Sequence, residues 1–314
     1  MVKEYLPIVV GLLRCENEVC LSLRQQHQSH ANCWEFPGGK VQGGESLEQA
    51  LQREFFEELG VTTDHWQPLI EIPWDYGTVA VRLHVYQTFD FDGIPYGKEG
   101  QHVRWFELAE LHQLRFPAAN QGILTVLALG DKYAISGEFT DAQDFSVKVK
   151  QLLNTGVQLI QLRAKGLQDE EVIELAQANL PMVHQAGAKL MLNGSPEILA
   201  RSGADGIQLA SNQLFEYTAR PIAKDKLLGI STHNAEEIAQ ALTLEPDFLL
   251  LSPVLPTATH PDQDALGWEA FHQMVKQVPV PVFALGGMTR ELLAHAKQQG
   301  AQGIAAIGEF WGKS

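Results

Sequence analysis

The chain has 314 residues, long enough for two domains of ordinary size, and 45% hydrophobic against 19% charged residues supplies ample core. A formal net charge of −15, with both halves acidic, excludes a protein that grips a long nucleic-acid backbone and leaves small anionic ligands to a metal or to local donors. Cys15, Cys20 and Cys33 lack metal spacing and suit reduced thiols in a cytoplasmic protein.

In chain order, the apolar run Leu6–Leu13 is too short to span a membrane, and Met1-Val2-Lys3-Glu4 does not read as the n-region of a signal peptide. The run reads as a strand, paired with Val19–Leu23 around a turn at Cys15–Asn17. Arg24 follows directly, and a polar loop then leads to Trp34-Glu35-Phe36-Pro37-Gly38-Gly39-Lys40. Two glycines there allow close backbone approach to a ligand, the Gly38 carbonyl included.

Ser46-Leu47-Glu48-Gln49 reads as a capping box that opens a helix, with Gly60 as its stop. Leu47, Ala50 and Leu51 mark the inward face, and helical steps from Leu51 reach Glu54 and Glu58, with Glu57 alongside. Burying three unpaired carboxylates is costly, and the single Arg53 cannot neutralise them. Hard oxygen ligands clustered in this way suit Mg²⁺ or Mn²⁺. A solvated acidic helix end is the plainer alternative.

Strand-like runs follow at Trp66–Trp74 and Thr78–Asp90. The loop Gly97-Lys98-Glu99-Gly100-Gln101 precedes a strand at His102–Phe106. Phe116-Pro117-Ala118-Ala119-Asn120 opens a last helix to about Leu129. Residues 1–130 are therefore expected to form an α/β sandwich. Asn120 presents donor and acceptor together, as a bidentate contact to a purine requires, although an ordinary helix cap would also use it.

From residue 131 to residue 314 strands alternate with helices. The expected strands are Tyr133–Ser136, Leu159–Ala164, Lys189–Asn193, Gly206–Ala210, Leu227–Thr232, Phe248–Val254, Val282–Gly286 and Gly303–Ile307. This pattern predicts a closed (β/α)₈ TIM barrel. Polar residues gather at the carboxyl ends of those strands, where such barrels place chemistry: Gln161, Arg163 and Lys165, Asn193, His233, Thr257 and Thr259. Gly286 and Gly287 follow the seventh strand, where backbone N–H groups commonly bind phosphate. His233 gains its weight as a catalyst from this company.

Gly39, five residues, Glu45, seven residues, then Arg53-Glu54-Phe55-Phe56-Glu57-Glu58-Leu59-Gly60-Val61 is similar to the Nudix box, with Phe55 bulkier than the usual aliphatic. The runs EFPGGK, GKEGQ and FPAAN extend the resemblance to the MutT-type 8-oxo-dGTP diphosphatases of that family. It implies a Nudix α/β/α sandwich acting as a hydrolase on phosphorus anhydrides, cleaving a nucleoside triphosphate to monophosphate and pyrophosphate with Mg²⁺. It also implies Gly38, Glu54, Glu57, Glu58 and Glu99 as metal ligands. Arg24, Phe36 and Asn120 would recognise the nucleotide, and Glu54 or Glu99 would be the base. Arg53 would support a glutamate, as would Glu45.

The second half, through QLRAK, LNG, ADGIQLA, GISTHN, SPVLPTATH and ALGGM, resembles the thiamine phosphate synthase/TenI family. Gly194 and Gln213 stand where synthases carry Mg²⁺-binding Asp, and His260 where they carry Lys. The resemblance implies a thiazole or thiamine-like phosphate as ligand, with His233 shuttling a proton as in the tautomerase branch. Two alternatives stand beside this: a thiamine-metabolism protein with tautomerase or synthase-like activity, its first half hydrolysing a thiamine-pathway pyrophosphate, and a barrel that only senses such a ligand. The sequence leaves oligomeric state open, a homodimer included.

Overall fold

A computed structural model describes residues 5–26, 31–164, 166–257 and 264–312. The chain divides into two units, Met1–Ala128 and Leu129–Ser314. Among the described residues no helix is long and apolar enough to cross a membrane.

The first unit contains β1 (Leu6–Cys15), β2 (Glu18–Leu23), β3 (Trp34–Glu35), β4 (Gly38–Lys40), α1 (Leu47–Leu59), β5 (Thr62–Asp64), β6 (Gln67–Asp75), β7 (Ala80–Thr88), β8 (Asp90–Asp92), β9 (His102–Glu107) and α2 (Gln121–Leu129). β1 and β2 pair antiparallel, Arg14 opposite Val19, as expected from the turn between them. β1 is shared between neighbours, pairing antiparallel with β4 and parallel with β7. One core lies between the sheet and α1, where Val9, Leu13, Ala50, Leu51, Phe55, Leu59 and Trp66 are buried. A second, on the other face, gathers Val10, Leu12, Phe36, Ile72, Val81, Leu83, Ala119 and Ile123. A sheet with a core on each face is the layered architecture expected of residues 1–130. The short sheet of β5 and β8, Thr63 opposite Phe91, is an addition that the sequence did not announce.

The second unit is a closed parallel barrel of β10 (Lys132–Ile135), β11 (Leu159–Leu162), β12 (Lys189–Leu192), β13 (Gly206–Leu209), β14 (Leu227–Thr232), β15 (Phe248–Leu251), β16 (Val282–Leu285) and β17 (Gly303–Ala306), each bonded to the next and β17 to β10. Its helices are α3 (Ala142–Asn154), α4 (Asp169–Gln185), α5 (Pro196–Ser202), α6 (Ala235–Thr243), α7 (Gly267–Val275), α8 (Leu293–Gln298) and α9 (Gly308–Trp311). The strands are buried on both faces with a period of two. Tyr133, Leu159, Met191, Phe248, Leu250 and Phe283 fill the interior, while Ile160, Leu190, Leu249 and Leu251 face the helices. Gly229 is small because a Cβ there would lie 2.4 Å from Gln208 Oε1 and 2.5 Å from the Phe248 ring. The expected eight-stranded barrel is therefore present, with most strands ending one to three residues earlier than the apolar runs suggest.

Candidate active site and barrel cavity

α1 begins as its sequence dictates: Ser46 accepts from Gln49 N at 3.2 Å and Gln49 Oε1 accepts from Ser46 N at 2.8 Å. Gly60 closes it in the left-handed conformation at φ 68°. The buried stripe is Ala50, Leu51, Phe55 and Leu59, and Leu47 is only half-buried. Phe55 lies edge-on to Trp66 at 5.0 Å. Its extra bulk is accommodated by Gly11, where a Cβ would come within 2.3 Å of the ring.

Glu54, Glu57 and Glu58 flank that stripe with different surroundings. Arg53 is the hub: its guanidinium donates to Glu45 at 2.7 and 3.1 Å, to Glu54 at 2.7 Å, to Glu57 at 3.2 Å and to the Lys40 carbonyl at 3.1 Å. These bonds, the one to Glu45 foremost, hold Arg53 charged and above its usual range. Glu45 in turn is held below the ordinary carboxyl value by Arg53 and by the Gln42 N–H. Glu58 stands apart from the hub. Burial, with the charges of Glu54, Glu35 and Glu99, pushes its carboxyl up to about 8, against a bond from Gly38 N–H. Gly38 adopts φ +152°, and a Cβ there would fall 2.1 Å from the Val9 carbonyl, so only glycine brings this N–H to the carboxylate.

Glu99 is exposed and sits in a loop bolted to the end of α1. Lys98 N donates to the Glu58 carbonyl at 3.0 Å and Tyr96 N to Leu59 at 3.1 Å. The Gln101 amide donates to the same Glu58 carbonyl at 2.9 Å and accepts from Glu99 N at 3.0 Å. Among the described residues no three His, Cys, Asp or Glu side chains are drawn together as a finished cation site. Even so, the donors are hard oxygens, and negative charge around Glu58 is left uncompensated by the Arg53 hub. That chemistry fits a divalent cation held by Glu54, Glu57, Glu58 and Glu99 with help from the Gly38 backbone.

Beside these carboxylates lies a cavity of about 360 Å³ with an apolar floor of Ile8, Val10, Val81 and Leu83. Arg24, Phe36 and Asn120, expected at a nucleotide, all line it. Arg24 pairs with Glu35. Phe36 is buried and stacks on Phe116 at 5.4 Å with 21° between the rings. Asn120, at the end of a 3₁₀ turn over Ala118–Asn120, is only 7% exposed. Among the described residues its carboxamide has no hydrogen-bond partner, so it is not the cap of α2. Glu35 and Tyr76, neither of them expected there, also line the cavity. Tyr76 follows Ile72 and Trp74 at alternate positions in the sequence, just past the end of β6, the only sequence signal it carries.

The barrel has a cavity of about 570 Å³ at the carboxyl ends of its strands. Of the expected residues, Gln161, Arg163, Asn193, His233, Thr257 and Gly286 line it. Lys165, Thr259 and His260 lie outside the described residues. Gly287 is not among the walls; at φ +68° it packs where a Cβ would come 2.8 Å from the Leu255 Cβ. Ser136 fixes Arg163 by accepting from its backbone N–H at 2.8 Å, and burial pushes the guanidinium below its usual value. Asn193 donates to the Gln208 carbonyl at 3.2 Å. His233 Nδ1 lies 2.9 Å from Glu237 Oε2, which also accepts from His233 N at 2.8 Å. Gln208 and Asn212 are further wall residues. Gln208 could have been found from the inward alternation Gly206, Gln208 in β13. Gln213 is turned away to accept from Ala210 N at 3.3 Å. Among the described walls there is no carboxylate.

Comparison with known proteins agrees with both halves. The NUDIX domain profile matches residues 9–126 and the thiamine monophosphate synthase profile residues 132–310. The chain is 37% identical over 123 residues to the 8-oxo-dGTP diphosphatase of Escherichia coli K12, covering 39% of this chain and 95% of that protein. It is 30% identical over 178 residues to the putative thiamine-phosphate synthase 2 of Aquifex aeolicus, covering 57% of this chain and 96% of that protein. A solved MutT structure, from a study of Aliivibrio salmonicida and Vibrio cholerae, is 35% identical and covers 40% of this chain and 97% of its own, at a TM-score of 0.36.

Proposed function

The chain belongs to the Nudix family through its first half and to the thiamine monophosphate synthase family through its second, and from that premise we propose that it is an 8-oxo-dGTP diphosphatase carrying a phosphate-binding barrel. The observation that carries the reading is Asn120. Its side chain lines a cavity beside Arg24 and Phe36 and makes no hydrogen bond among the described residues, which leaves the amide available to a ligand. A purine edge meets it with one donor and one acceptor.

The reaction places water on a phosphorus of the triphosphate and releases monophosphate and pyrophosphate. A bound Mg²⁺ or Mn²⁺ supplies charge neutralisation at the phosphate oxygens and a more acidic water. Glu54, Glu57, Glu58 and Glu99, with Gly38, would hold it. Arg53 keeps Glu54 and Glu57 in place and is a positioning residue. Glu99 is the better candidate for the base, because Glu54 is already committed to Arg53 whereas Glu99 is exposed.

The test compares kcat/KM for 8-oxo-dGTP and dGTP in wild type and Asn120→Ala. Loss of a bidentate base contact should lower 8-oxo-dGTP turnover by about tenfold or more and dGTP turnover less. Equal losses would remove base reading from Asn120.

For the barrel we propose a thiazole or thiamine-like phosphate as ligand, bound without a metal of its own. The absence of a carboxylate among the described walls and the turning away of Gln213 favour this over synthase chemistry. His233 is the candidate proton shuttle. Calorimetry with a thiazole phosphate carboxylate, with and without Mg²⁺, checks the ligand, and turnover in His233→Ala checks the shuttle.

A further inference from the structure

Resting on the nucleotide reading of the first half, we propose that Tyr76 is a substrate-contacting specificity residue, whose ring closes the outer side of the cavity and stacks on the nucleobase. The floor of that cavity, Ile8, Val10, Val81 and Leu83, is apolar and flat, being one face of the sheet. Its polar walls are at the edges, at Arg24 with Glu35 and at Asn120. A base lying on that floor reaches the polar edges in its own plane and leaves its outer π-face to be covered.

Tyr76 is the aromatic side chain placed to cover it. Ile72 and Trp74 pack into the core on this side of the sheet, and Tyr76 lies just past the end of β6, its ring edge-on to Trp74 at 6.4 Å and 62°. A tight turn fixes its position: Tyr76 N donates to the Val79 carbonyl at 3.0 Å, and Asp75 Oδ1 accepts from Gly77 N at 2.8 Å. Gly77 takes φ +82°, which a side chain there would resist. Tyr76 is 41% exposed although it lines a cavity, which leaves side-chain surface for a ligand to cover. Partial burial lifts the phenol above its ordinary value, so the hydroxyl stays neutral beside Arg24 and Glu35. Stacking is nearly indifferent to hydrogen-bonding pattern and grows with the area of the base. Tyr76 therefore selects purines over pyrimidines, while Asn120 and Arg24 select among purines.

The experiment measures kcat and KM for 8-oxo-dGTP in wild type, Tyr76→Ala and Tyr76→Phe, with deoxyribose 5′-triphosphate lacking a base as the control substrate. Tyr76→Ala should raise KM about tenfold, the scale of one lost base–aromatic stack, with kcat within about twofold. Tyr76→Phe, which keeps the ring, should stay within about threefold of wild type, and the base-free triphosphate should respond to neither change. An unchanged KM in Tyr76→Ala, or an equal rise with the base-free substrate, overturns the proposal. A wild-type protein that hydrolyses none of these triphosphates would instead overturn the nucleotide reading on which it rests.

Discussion

Glu58 and Glu99 are joined through a single side chain: the Gln101 amide gives its N–H to the Glu58 carbonyl at 2.9 Å and takes the Glu99 N–H at 3.0 Å. Two candidate metal ligands from distant parts of the chain thus share one clamp. Gln101→Ala should lower kcat by about 10- to 100-fold, the usual effect of losing a residue that orients metal ligands, and raise the Mg²⁺ concentration for half-maximal rate. KM for nucleotide at saturating Mg²⁺ should change little. Steady-state kinetics over a Mg²⁺ series checks this.

Glu58 is costly to the metal-free fold. Burial and the neighbouring carboxylates raise its carboxyl to about 8, so its ionised form is disfavoured in the native state at neutral pH. Glu58→Gln should stabilise the metal-free protein by about 1–3 kcal/mol at neutral pH while abolishing hydrolysis. Thermal melts in a chelator and in excess Mg²⁺ test both parts. The ion should raise the melting temperature of wild type and leave the variant nearly unmoved.

Glu45 predicts the opposite sign in acid. Its bond to Arg53, with the Gln42 N–H, depresses its folded value below the ordinary 4.5. A depressed carboxyl contributes stability that is fully present above the unfolded value and is lost as pH falls through the folded one. Wild type should therefore lose more stability than Glu45→Gln between about pH 6 and about pH 3. Urea unfolding of both proteins across that range measures the difference.

In the barrel, Glu237 fixes His233 by accepting from both its backbone N–H and its ring Nδ1. That bond selects the tautomer with the proton on Nδ1 and leaves Nε2 as the acceptor. Nitrogen NMR of the His233 ring should show that tautomer in wild type and a mixture in Glu237→Ala, with the barrel still folded.

Much of this was legible because the signals are local. The box helix carries its own caps at Ser46 and Gly60, and each barrel strand is an apolar run too short for a helix. The apolar runs overstate the strand ends because residues such as Val254 continue past the end of β15, beyond a proline that cannot donate to the ladder. The β5–β8 sheet escaped because TTD and DFD are too brief to show a period. At the site, helical spacing was enough for Glu54 and Glu58. It could not reveal that Arg53 would bind three carboxylates at once, or that Gly11 makes room for Phe55, since those contacts exist only once the sheet closes on α1. Gln101 carries no local signal of its role, because its partner carbonyl lies 43 residues away.

The loop Tyr96–Gln101 hangs from the last carbonyls of α1, which turns that helix into a ruler. Adding or deleting one residue between Ser46 and Gly60 would rotate everything beyond it by about 100° and slide it by about 1.5 Å. Glu58 would swing away from Gly38 while its carbonyl left Lys98 and Gln101 behind. The helix can therefore tolerate changes of side chain along its outer surface far more readily than any change in its count of residues, and the loop inherits the same restriction without belonging to it.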